Sequence, residues 1–211
     1  MKTDELIDAL SHEATPAPAM SPRRRILTAA GIGLAVAAVL MATFLHVRPD
    51  IGTAMMTVMW KAAFAAAAAG AALPLLMRLA RPGRPLGWRA IAIFGFLGVS
   101  AMVAGVALMG GDPGLRLGLW MRGMFPWCIV TIPLLAAPTA ALLAWAMRDL
   151  APTRLASSGA ALGAVSGGIG AMAYAMYCPV DSVVFVTTWY AVAIGLCAAL
   201  GALLGTRLLR W

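Results

Sequence analysis

Cysteine is the residue type in this 211-residue chain best suited to chemistry, and there are three of them, Cys128, Cys178 and Cys197. Thiolates bind soft metal ions or pair oxidatively as disulfides. No two of these cysteines have the CxxC spacing of a structural zinc site, and three are too few for a disulfide scaffold. Any cysteine chemistry must therefore come from tertiary proximity. Cys128 opens one apolar run and Cys178 closes the next, so a helical hairpin places both at the same end. There they could form a disulfide or hold a soft metal ion such as cadmium or zinc, with His46 and Asp181 as further ligands. The competing reading is that each is a small apolar residue packed beside helices. Cys197 lies within an apolar run with no polar neighbour in sequence, and packing is its expected role.

The elements that position these residues follow from composition. The chain is 62% hydrophobic and only 11% charged, against roughly 45–50% and about 25% in soluble domains. About 20 apolar residues cross a bilayer as a helix. The expected fold is therefore all-α, a polytopic bundle of about six transmembrane helices over residues 26–47, 55–77, 90–109, 124–147, 156–177 and 183–204. Together these form a membrane domain over 26–206, preceded by a linker and basic stop at 15–25 and followed by a tail at 207–211. Placing both termini in the cytoplasm leaves only Arg48, Lys61, Arg116 and Arg122 of the 16 basic residues outside, as the positive-inside rule requires. The net charge of +8 reads as topology, and no direct nucleic-acid contact is expected.

Residues 1–14 differ from the rest. Asp4, Glu5, Asp8 and Glu13 are half of the 8 acidic residues. Thr3 can cap a short helix whose first turn carries acids, which suits the helix dipole. Leu6, Ile7 and Leu10 then share one face. The expectation is a short cytoplasmic amphipathic helix that recognises a partner and orders on binding; the bland alternative is a frayed polar terminus. Residues 15–22, rich in Pro and Ala, read as an extended linker.

Other chemistries find little support. No HExxH, GxSxG, Walker or GxGxxG pattern stands in a suitable context, so the chain is not expected to be an enzyme or to need a cofactor. Carriers need ionisable groups at membrane depth, and Lys61 is expected near one interface, where it can snorkel. A small-molecule transporter or export component is the alternative function, supported by Pro126, Pro133 and Pro138 in the fourth span and the glycines of the fifth. Gly159, Gly163 and Gly167 share a face, which points first to close helix packing.

Several segments together resemble a known family. They are Met1 to Leu10 with its acidic positions, Arg48-Pro49-Asp50 after the first span, Cys178-Pro179 with Asp181, the Trp189-Tyr190 pair, and the ending Gly205 to Trp211. In this order along six spans they are similar to the negative regulator of sigma F family of bacterial membrane proteins. That resemblance implies an anti-sigma factor in the inner membrane, holding an extracytoplasmic-function sigma factor inactive until a stress outside releases it. It also implies that Cys128 and Cys178, matching the family's cysteines in the fourth span and after the fifth, sense heavy-metal or oxidative stress. The arm residues Asp4, Glu5, Leu6, Ile7, Asp8 and Leu10 would then meet the sigma factor.

Overall fold

The computed structural model describes residues 20–83, 87, 89–110 and 127–210, with residues 3, 7 and 8 near the N-terminus. The described residues form helices and connecting turns, and the chain is an all-α polytopic bundle. The first long helix, α1, runs over Pro22–Leu40. Its start is well specified: Ser21 accepts from the backbone N–H of Arg24, and Pro22 fills a first-turn position that needs no donor. A π-helical turn, Met41–Leu45, continues it until His46 enters the left-handed region at φ 65°. Next come α2 (Met55–Leu79), α3 (Arg89–Met109), α4 (Cys128–Arg148), α5 (Leu155–Tyr174) and α6 (Val183–Leu208). Pro74 lies inside α2, and Pro133 and Pro138 lie inside α4.

Five of these segments are long and apolar enough to cross a membrane, while α3 has a shorter apolar stretch, Ile91–Ala107. Large apolar side chains such as Phe44, Met56, Trp145 and Leu203 point outward. In water such a belt would be an aggregation surface; in a bilayer it is the lipid-facing side.

The bundle is built around α5. Of its most apolar stretch 72% is buried, against 28–44% in the other spanning segments, and it packs on α6, α2, α4 and α1. Its glycines make this approach feasible. A Cβ on Gly159 or Gly163 would collide with the backbone carbonyls of Gly201 or Cys197 on α6. On other faces of α5, a Cβ on Gly168 would lie 2.8 Å from that of Ala69 on α2, and one on Gly170 would lie 2.7 Å from the Ile132 carbonyl on α4. Removing Cβ atoms lets backbones close in where apolar burial supplies little driving force. The expected close-packing role of the fifth-span glycines is what the structure shows, extended to three neighbours.

Helix α1 packs mainly along α4, with Gly33 against Thr139. Beside its start, Arg25 donates to Asp149, the C-cap of α4, at 2.5 Å. Its other end leads into the loop that forms the candidate site.

Candidate functional site

After His46 the chain runs through Val47 to the turn Arg48-Pro49-Asp50, where proline fixes the backbone and removes a donor. The Asp50 carbonyl accepts from the N–H groups of Thr53 and Ala54 just before α2 starts. Across the bundle end, α5 finishes at Tyr174, and the segment through Cys178, Pro179 and Asp181 reaches Ser182, the N-cap of α6. Each loop is thus a short link between two helices of fixed position.

Side chains join the two loops. The Arg48 guanidinium meets Asp50 bidentately, with Nε and Nη2 each 2.7 Å from a carboxylate oxygen. Its Nη1 also donates to Asp181 at 2.9 Å and to the Cys178 carbonyl at 3.3 Å. From the second turn of α2, Lys61 Nζ donates to the same Asp181 oxygen at 2.6 Å and to the Cys178 carbonyl at 2.9 Å. The Arg48 backbone N–H completes the join by donating to Met176 at 3.2 Å. Two cations face two carboxylates, so the cluster is neutral as a whole, the arrangement that buried charge requires.

Lys61 is fully buried, at 0% exposure. This corrects the expectation that it snorkels to an interface. It lies near the start of α2, but its ammonium turns inward because Asp181 and a carbonyl stand there to accept from it. The charges also shape one another. Hydrogen bonding from Arg48, aided by Lys61, holds the Asp181 carboxyl below the usual range. Arg48 does the same to Asp50, while Asp50 and then Asp181 raise Arg48 further above its ordinary value.

Cys178 sits inside this frame. Its carbonyl takes both cations, its N–H donates to Tyr174 at 3.0 Å, and its Sγ contacts the Val180 carbonyl at 3.8 Å. Both Cys178 and Cys128 are buried and carry free thiols. They lie within electrostatic range of each other and of Tyr174, so the structure brings together the two cysteines that the sequence singled out. Tyr174 and Tyr190 pack beside them with ring centroids 5.9 Å apart.

The wider ligand set is not gathered with them. Among the described residues no three His, Cys, Asp or Glu side chains cluster as a metal site would need. Asp181 is engaged by Arg48 and Lys61, and His46 is exposed at the end of α1. Cys197 packs on α5, its Sγ 3.1 Å from where a Gly167 Cβ would stand. In the arm, Thr3, Ile7 and Asp8 are helical and exposed; Asp4, Glu5, Leu6 and Leu10 lie outside the described residues.

Sequence reasoning missed Arg48 and Lys61 as site residues. A signal existed: the topology puts Arg48, Lys61, Asp50 and Asp181 on one side of the membrane, two charges of each sign flanking apolar helices.

Apolar helices closed at one end by a neutral ion cluster around a cysteine turn define a polytopic membrane bundle whose fixed chemistry is polar and thiol-based. The family model described as negative regulator of sigma F, NrsF, matches residues 10–211, and the chain belongs to that family. It is 35% identical to the probable anti-sigma-F factor NrsF of Azospira oryzae and 34% identical to the anti-sigma-F factor NrsF of Caulobacter vibrioides, with 100% of both chains covered in each comparison. No solved structure matches.

Proposed function

We propose that this chain is a membrane-bound anti-sigma factor of the bacterial inner membrane, with both termini in the cytoplasm. It captures an extracytoplasmic-function sigma factor through Asp4, Glu5, Leu6, Ile7, Asp8 and Leu10, and frees it when a soft metal ion or an oxidant acts on Cys128 and Cys178. The observation that carries this reading is end-to-end likeness to two proteins named as anti-sigma-F factors. The arm's chemistry agrees with it. Sigma factors turn basic surfaces to DNA, so acids framing three aliphatic side chains can mask such a surface while the apolar residues supply contact area. Tethering to the membrane also keeps the captured factor away from promoters.

Contacts at the two ends of α1 support a route from input to output. Helix α1 joins the arm's linker to Arg48, which grips the Cys178 turn, and Arg25 beside its start grips the far end of the helix that Cys128 opens. A change at the thiols that favours one arrangement of these helices over another reaches the arm through α1.

The test is co-purification from mild detergent. Leu6→Ala with Ile7→Ala should lower the yield of bound sigma factor at least tenfold with unchanged membrane insertion. Undiminished sigma factor on the doubly substituted protein removes the arm as the binding element.

A further inference from the structure

The Tyr190 side chain is fully buried, yet its hydroxyl makes no well-formed hydrogen bond among the described residues. An orphaned buried hydroxyl costs stability, and native structures contain few of them. Its electrostatic neighbours are Cys178, Tyr174 and Cys128. The hydroxyl therefore stands within reach of the Cys178 thiol, with Cys128 in electrostatic range, held there by α6 and by the packing of its ring on Tyr174.

A thiol sulfur is a weak acceptor, which leaves such a donor unsatisfied. A thiolate is a strong one, because a hydrogen bond to an ionised acceptor is shorter and stronger than one to a neutral group. We propose that Tyr190 is the positioning residue of the thiol pair: its hydroxyl donates to Cys178 Sγ when that sulfur becomes a metal-bound thiolate. This rests on the reading that Cys128 and Cys178 take a soft cation. Binding a divalent ion forms two metal–sulfur bonds and releases two thiol protons to water, with no change of oxidation state. The phenol keeps its own proton and shares it with the sulfur. The backbone of Cys178 is already pinned by Lys61 and Arg48 through its carbonyl, so the response falls on the side chain. Loading then satisfies a donor that is unsatisfied at rest, a differential contact of the kind that shifts a two-state equilibrium.

The experiment uses the reduced full chain in mild detergent, with cadmium chloride as the probe and sulfur-to-metal charge-transfer absorption as the readout. The Cys128→Ser plus Cys178→Ser variant sets the thiol-free baseline. Tyr190→Phe, which deletes only the hydroxyl, should weaken thiol-dependent cadmium binding about 10-fold or more, the usual effect of removing a group that orients a ligand. Without metal, its melting temperature should equal or exceed that of the unaltered chain, since the orphan is gone. No thiol-dependent binding in the unaltered chain overturns the reading that these cysteines take a soft cation, and this role of Tyr190 with it, while leaving oxidation of the pair to a separate assay. Thiol-dependent binding that Tyr190→Phe leaves within twofold overturns the role of Tyr190 alone, as does a marked fall in the metal-free melting temperature.

Discussion

Lys61 and Asp181, 120 residues apart in sequence, meet at 2.6 Å, and the lysine is wholly buried while the aspartate side chain keeps 38% of its surface in contact with solvent. This asymmetry decides which partner depends on the other. Without Lys61, Asp181 keeps Arg48 and solvent. Without Asp181, the Lys61 ammonium keeps, among the described residues, only the Cys178 carbonyl as a hydrogen-bond acceptor.

Asp181→Ala should therefore destabilise the protein by on the order of 3 kcal/mol, the scale for an uncompensated buried charge. Lys61→Met should cost less, about 1 kcal/mol, because exposure of the remaining carboxylate screens its loss. Combining the two should recover part of the aspartate loss, since no buried cation is then stranded. Chemical denaturation in mild micelles measures all three. Additive effects would show that the pair is not energetically coupled.

The all-α bundle was legible because apolar runs of bilayer length leave few alternatives. The placing of Cys128 and Cys178 at one end, within electrostatic range, was legible for a related reason, since a helical hairpin returns its open ends to one side. The inward turn of Lys61 was not. Snorkelling and burial predict the same lysine at the same helix position, and only the Asp181 loop, brought across by α5 and α6, decides between them. Burial of Lys61 also removes the absence of membrane-depth charge as an argument against transport. What replaces it is geometry, because both Lys61 hydrogen bonds to described residues end on a single turn of chain and describe a bolt. Nor could the spacing of Gly168 and Gly170 name their partners; that depends on α5 lying at the centre, with α2 and α4 on separate faces.

The glycines offer a test of that central position. Gly163→Ala should cost about 1–3 kcal/mol, the range for overpacking, because the new methyl meets the rigid Cys197 carbonyl rather than a movable side chain. Gly195→Ala is the control. Nothing lies within 4 Å of a Cβ there, so it should be neutral or stabilise by up to about 1 kcal/mol, the ordinary difference between glycine and alanine in a helix. Equal melting temperatures for the two variants would mean that α5 and α6 are not in close contact.

Acid should loosen the ion cluster in a defined direction. Asp181 and Asp50 both have carboxyls held below the usual carboxylate range, chiefly by Arg48. The unfolded chain therefore takes up protons first as pH falls, and stability declines below the unfolded value until the folded carboxyls are protonated too. Above about pH 5 these two groups should contribute a flat profile; below about pH 4 the melting temperature should drop. Both carboxylates are partly exposed, so screening keeps the drop modest. Asp181→Asn removes one of the two titrating groups and should flatten the acid limb while lowering the plateau. An acid limb of unchanged depth in Asp181→Asn would assign the acid sensitivity to Asp50, the other carboxyl that Arg48 holds low.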